Sequence, residues 1–196
     1  MTRRLLAVLA VVLGGTVTAC ADDVAPAARI GDRTITNDEL LDEVEEWAGN
    51  DQTPRSQELA ATALPAGYAI DPVISILQTR IAFEIAGQAF DDLGLTLDDQ
   101  TVAEASSFFF GEDPAAAELA RAGFSEEFAD AYVKSLARGL AVQIELGEEA
   151  FGQLIVEGGR EVEVNPRYGT WDPSRLSIIG PAGPTVASGS DAIAEP

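Results

Sequence analysis

The chain has 196 residues, with 12 Lys and Arg against 33 Asp and Glu and a formal net charge of −21. So acidic a protein will not bind nucleic acid through counterion release, and anionic lipid surfaces repel it. The sequence contains no His and one Cys, which excludes Ser-His-Asp and Cys-His catalysis, His-ligated metal sites and an intramolecular disulfide.

The first twenty residues have the layout of an export signal. Arg3 and Arg4 precede an unbroken apolar run at 5–13, which is too short to span a membrane. The following Val-Thr-Ala-Cys at 17–20 resembles the bacterial lipobox, in which the Cys is acylated and the chain is cleaved just before it. We therefore expect a signal peptide at 1–19, lipid on Cys20 and anchoring at the outer face of the cytoplasmic membrane. The alternative is an ordinary secretory signal with a chance Cys.

A short polar tether is expected at 20–28, followed by a domain that begins with two very short strands. The segment 29–35 reads as a hairpin around Gly31 and Asp32. Thr36 and Glu39 then form a capping-box pattern that opens a first helix ending near Gly49.

Helical periodicity dominates the middle of the chain. The longest pattern starts at Asp71-Pro72 and is apolar on nearly every face, which is typical of a buried central helix. Asp98 and Ser125 are expected to cap two later helices, and a further turn or two covers 148–156. Alternation at 161–164 then indicates a strand, and the composition of 173–196 predicts a disordered tail.

Motifs for catalysis or cofactor binding are missing from the sequence. It carries no Walker loop, GxGxxG or CxxC pattern, and its paired carboxylates lie near predicted helix ends or in the tether. Helix capping and solvation explain these pairs better than acid–base chemistry does. We expect no enzymatic activity, no cofactor and no metal.

The order of these parts resembles a known family. The segments I-G-D-R-T-I-T, D-L-G-L-T-L-D-D, F-S-E-E-F and V-E-V-N-P-R-Y-G-T-W-D are similar to the N-terminal domain of SurA-like periplasmic chaperones. Related lipoprotein foldases of Gram-positive bacteria and the chaperone domain of trigger factor share the layout. Eleven Arg against one Lys indicate a high-GC actinobacterial lineage.

The resemblance implies a mainly α domain over 29–172. Its small β element is formed by the N-terminal strand or hairpin and a returning C-terminal strand that pairs with 29–35. Many members carry a parvulin prolyl isomerase domain before the returning strand. Here only 148–160 lies there, far less than the roughly 50 residues that a domain needs. We therefore expect no isomerase activity.

The function that the resemblance implies is holding unfolded or newly exported polypeptides. The alternative is an accessory lipoprotein that binds one folded membrane or secretion-complex partner. Candidate client contacts are Phe108, Phe109, Phe110 and Tyr68, although the three Phe residues could instead plug the helix bundle.

Four other residues are expected to be structural. They are aromatic or adjacent to an aromatic residue, and we expect them to lock the terminal strand onto the first helix: Trp47, Arg167, Tyr168 and Trp171.

Overall fold

The computed structural model describes residues 25–50, 53–61, 63–64, 67–111, 115–180 and 186–187. Cys20 and the apolar leader lie outside these residues. Most of the described chain is helical. In chain order the helices are α1 (Asn37–Ala48), α2 (Pro54–Ala61), α3 (Ile70–Asp92), α4 (Asp99–Phe110), α5 (Ala115–Arg121), α6 (Glu126–Leu146) and α7 (Glu148–Gly159).

Short antiparallel strands complete the fold. They are β1 (Ala28–Ile30), β2 (Arg33–Ile35), β3 (Ala63–Leu64), β4 (Gly67–Ala69), β5 (Val162–Val164), β6 (Thr170–Asp172), β7 (Ser177–Ile179) and β8 (Val186–Ala187). The first sheet has the order β2-β1-β5, with Arg29 opposite Thr34 on one side and Glu163 on the other. The expected mainly helical fold, with a hairpin and a returning strand, is confirmed.

Helix α3 runs through the centre of the core. Its buried side chains lie on more than one face: the adjacent Ile76 and Leu77 point about 100° apart, and both are fully buried. The helix packs against α1, α6 and α7 and also contacts strand β1. A helix that is apolar on all sides has to be covered in this way to be kept from water.

Local capping fixes where three helices begin, as the sequence predicts. The Thr36 hydroxyl accepts from the Glu39 amide at 3.1 Å, while the Glu39 carboxylate accepts from the Thr36 amide at 2.8 Å. Asp98 caps α4 and Ser125 caps α6 through their side-chain oxygens. These contacts satisfy amide groups that have no partner inside the helix.

The boundaries predicted for the tether and the tail are both wrong. Ala27 and Ala28 are buried, and β1 begins at Ala28, so the prediction of a tether up to residue 28 is wrong at its end. Strand β7 lies inside the expected disordered tail and pairs with β6, and its Ile178 reaches the core. Apolar burial of Ile178 offsets the entropy of ordering this segment. Residues 188–196 lie outside the described residues.

The start of α3 also differs slightly from the prediction. The helix begins at Ile70, one residue before Asp71, and its N-cap Ala69 makes no side-chain cap bond. Strand β4 precedes it directly and pairs with β3 and β8. Because β4 leads straight into α3, the chain enters the helix without a separate capping residue.

Candidate functional site

The carboxyl end of α4 presents two aromatic side chains to solvent. Phe108 is 69% exposed and Phe109 is 47% exposed. Their ring centroids lie 5.0 Å apart with planes at 85°, which is a favourable edge-to-face pair. Gly111, with φ of +81°, ends the helix directly after them. The two rings form one apolar surface, which we call the Phe108–Phe109 surface.

Phe110 belongs to the interior instead. It is half-buried and packs against the main core, as does Val102 from the same helix. Successive residues on an α-helix point about 100° apart, so three consecutive side chains cannot all face the same way. The structure therefore divides the candidate group: Phe110 packs inside the bundle, and Phe108 and Phe109 lie outside it.

Tyr68 lies in strand β4. Its backbone pairs with Ala63 of β3 and with Ala187 of β8. That sheet packs against α3, whereas α4 packs mainly against α5 and α6.

The connection between α4 and α5 holds this aromatic end in place. The Ser106 hydroxyl accepts a hydrogen bond from the Ala115 amide at 2.6 Å, and Ala115 and Leu119 are buried in the core. Glu104, one turn before Phe108, is exposed and accepts from Gln100. The aromatic pair therefore projects from a fixed helix end, next to charged and polar side chains.

Tyr168 and its neighbour Arg167 follow β5. Tyr168 is fully buried, and its hydroxyl donates to the side chain of Asn37 in the first turn of α1 at 2.9 Å. Burial raises the pKa of the Tyr168 phenol, while Arg167, whose guanidinium lies 5.3 Å from the ring centroid, opposes that rise. Tyr168 thus joins the segment after β5 to α1, in the role expected of it.

The two Trp residues have different partners from those expected. Trp171, in β6, donates from its indole nitrogen to the Gly159 carbonyl at 2.6 Å, which ties β6 to the end of α7. Trp47 packs edge-on against Phe124 and Phe128 at the start of α6. Trp47 lies ten positions after Asn37 on α1, about 15 Å along the helix axis. It therefore does not contribute to the contact between Tyr168 and Asn37.

A chain of ion pairs crosses α1, α3 and β2. Arg80 lies 3.8 Å from Glu43 and 3.4 Å from Glu84, and Arg33 pairs with Glu84 and Asp91. Glu43 is buried, and burial raises its pKa against the opposing effect of Arg80 and Arg55. Two members of the cluster, Glu43 and Arg80, line a groove of about 710 Å³, and half of the groove's other lining residues are Asp or Glu.

Comparison with known proteins returns no relative. The chain matches no protein family, no curated protein and no solved structure. The resemblance to SurA-like chaperones therefore stays an interpretation of the sequence.

In the described part of the chain, no helix is long and apolar enough to cross a bilayer. Nor do three or more of its acidic or Cys side chains gather into a group that could hold a metal ion. The chemistry available at the Phe108–Phe109 surface is apolar contact and aromatic stacking.

The sequence alone does not indicate a second apolar region, which lies between α3 and α7. Leu93, the residue after α3, is 42% exposed beside a cleft lined by Ile85 and Leu154. Its members are separated by up to about 70 positions in the chain, so no local motif could reveal them. The only sequence signal is Leu93 itself, an apolar residue between two Asp residues and Gly94.

Proposed function

We propose that the protein is a membrane-tethered lipoprotein chaperone that holds non-native segments of exported proteins and has no prolyl isomerase activity. The observation that carries the proposal is the exposed pair Phe108 and Phe109 at the end of α4. Adjacent exposed aromatic side chains are typical of interaction sites. Apolar segments of an unfolded chain would remove these rings from water.

Charge supports the same function. A net charge of −21 keeps a protein and its bound client apart from other copies, which favours solubility of the complex. The lipid on Cys20 would place the aromatic surface where exported chains emerge. The residue types at the surface offer contact area but no nucleophile or proton-transfer group.

Light scattering from a chemically unfolded client tests the proposal. All described elements lie between residues 25 and 187, so residues 21–196, without lipid, retain them. We expect suppression of aggregation near an equimolar ratio, and loss of most of that suppression in a Phe108→Ser, Phe109→Ser variant. Phe110 stays unchanged because it packs the core.

The matched control is Ile144→Ser, which removes another exposed apolar side chain, 64% accessible, from α6. It should suppress aggregation as well as the unchanged protein does. Circular dichroism has to show equal helix content in all three proteins. Equal suppression by the Phe108→Ser, Phe109→Ser variant would contradict the assignment of the site. Absence of suppression across several clients, together with one stoichiometric partner in a pull-down, would favour the accessory-lipoprotein alternative.

A further inference from the structure

A cleft of about 440 Å³ lies between the carboxyl half of α3, the end of α6 and α7. Its apolar lining combines Ile85 and Ala89, which are almost fully buried, with the half-buried Leu146 and Leu154. Leu93 stands at the edge and is 42% exposed. We call this cavity the α3–α7 cleft. Its apolar wall is accessible to a side chain of another molecule.

The rim of the α3–α7 cleft is negatively charged. Asp92, Glu157 and Glu161 line it, and all three are exposed. No Lys or Arg in the described residues forms an ion pair with any of them. Three carboxylates beside an apolar wall therefore attract a positively charged group placed next to an apolar one.

A second depression of about 340 Å³ continues the negative end. It shares Asp92 and Glu161 with the cleft and adds Asp32 and Asp91. The one cation that lines this depression, Arg33, is already paired with Glu84 and Asp91 of α3. The combined groove is thus apolar at one end and negative at the other.

The walls of the cleft are fixed in place. A Cβ at Gly158 of α7 would lie 2.6 Å from Cγ2 of Ile85, so α7 is in direct contact with α3 at this point. The Gln88 side chain donates to the Ile30 carbonyl at 2.7 Å and holds β1 on the same helix. A preformed cleft loses little conformational entropy when it binds a ligand.

We propose that the α3–α7 cleft docks a polypeptide segment that carries apolar side chains next to Lys or Arg. The apolar side chains would contact Leu93 and Leu154, and the cations would face Asp92, Glu157 and Glu161. An anionic lipid surface does not fit, because it would place like charges against this rim. A second copy of the chain, with its net charge of −21, is disfavoured for the same reason.

This docking surface is separate from the Phe108–Phe109 surface. Leu93 lies before α4, and the two aromatic rings lie at the opposite end of that helix. The 12 residues of α4 span about 18 Å. A single side chain cannot reach both, so the two surfaces can be tested independently.

Fluorescence anisotropy of a labelled synthetic peptide tests the cleft. The peptide combines Leu and Ala with Lys in helical spacing, and the protein is the full chain in a nonionic detergent, with detergent alone as the blank. We expect saturable binding that weakens with added salt. Peptides with Glu in place of Lys, or Ser in place of Leu, should bind about tenfold more weakly or worse.

Two variants address the cleft itself. The triple change Asp92→Asn, Glu157→Gln, Glu161→Gln should weaken binding about tenfold and flatten its salt dependence. Leu93→Ser should weaken binding without changing the salt dependence. The matched control, Asp38→Asn, Glu126→Gln, Asp130→Asn, neutralises three other exposed carboxylates and should bind as the unchanged protein does.

Three results would overturn the inference. One is no saturable binding. Another is equal weakening by the control triple variant, which would mean attraction to the overall charge. The third is binding that survives the cleft variants but is lost in Phe108→Ser, Phe109→Ser, which would place the peptide at the Phe108–Phe109 surface. That third result would leave the proposed chaperone function intact.

Discussion

The Tyr168 hydroxyl donates a hydrogen bond of 2.9 Å to the side-chain oxygen of Asn37, across 131 positions of sequence. The amide nitrogen of the same Asn37 donates to the Ala25 carbonyl at 2.7 Å. One side chain in the first turn of α1 therefore holds both the segment before β1 and the segment after β5. The junction fixes the β2-β1-β5 sheet onto the helical part of the fold.

Tyr168→Phe should lower the free energy of unfolding by about 1–2 kcal/mol, because it removes a buried hydrogen bond and leaves the Asn37 oxygen without its donor. A double-mutant cycle with Asn37→Ala, followed by urea denaturation, isolates the contact between the two side chains. We expect a coupling energy of about 1 kcal/mol. A coupling near zero would mean that Tyr168 acts through packing alone.

Gly169→Ala should be strongly destabilising. The residue has φ of +126°, and a Cβ there would lie 2.2 Å from the Ile179 carbonyl oxygen, so β6 and β7 would have to separate. The expected loss exceeds about 2 kcal/mol, since backbone strain adds to the clash. Trp171 fluorescence should change with it, because that residue pairs with Ile178 across the same strands.

Gly152→Ala is the matched control for this change. A Cβ at Gly152 meets nothing within 4 Å, and the residue is in the interior of α7. We expect it to stabilise the protein by about 0.5–1 kcal/mol. If Gly169→Ala melted at the same temperature as Gly152→Ala, the close approach to Ile179 would be refuted.

Glu43→Gln should reveal a carboxyl group whose pKa is higher in the folded protein than in the unfolded chain. Burial raises the pKa of Glu43, so the folded state binds this proton more tightly than the unfolded chain does. The contribution of Glu43 to stability therefore increases as pH falls from its folded pKa to its unfolded pKa. Relative to Glu43→Gln, the unchanged protein should gain stability on acidification, measured as melting temperatures across that pH range.

Glu39→Gln is the same chemical change one turn earlier on α1. We expect the opposite dependence of stability on pH for this variant. The backbone hydrogen bond from Thr36 lowers the pKa of Glu39, against a smaller opposing effect of burial. Its contribution is present above the unfolded pKa and is lost as pH falls through the folded pKa. The advantage of the unchanged protein over Glu39→Gln should therefore shrink with acidification. Parallel pH curves for the two variants would contradict both assignments.

Cys20→Ser should move the protein from the membrane fraction to the soluble or unprocessed fraction. Mass spectrometry of the unchanged protein should find an acylated Cys20 at the amino terminus of the processed chain. An unmodified Cys20 in a protein cleaved elsewhere would support the alternative of an ordinary secretory signal. Any effect of Cys20→Ser on aggregation suppression in solution would be unexpected, because the described fold begins at Ala25.

Much of the helical framework could be predicted because capping is a local property. Thr36, Asp98 and Ser125 each begin a helix through bonds to residues three positions away. The hairpin around Gly31 follows from equally local turn chemistry. The pairing of β5 with β1 was expected only through the resemblance, since nothing in Val-Glu-Val specifies a partner 130 residues away.

The orientation of side chains at the candidate site needed the structure. Three consecutive Phe residues carry no periodicity, so the sequence cannot tell which of Phe108, Phe109 and Phe110 faces the core. The α3–α7 cleft is hidden for another reason, because its walls come from three separate helices. Strand β7 was not predicted because its three residues, in a Gly- and Pro-rich segment, are too few to show the alternation of a strand.

The β2-β1-β5 order also constrains when the protein can finish folding. Strand β1 gains its second partner only after 162–164 has been synthesised, although β1 itself is among the first described segments to be made. Closing a loop of that length carries an entropic cost that local helix formation does not reduce. The two helices that cover most of α3, α6 and α7, also follow it in the chain, so α3 remains partly uncovered until they have been made. During that interval this protein exposes apolar surface, as do the clients that we propose for it.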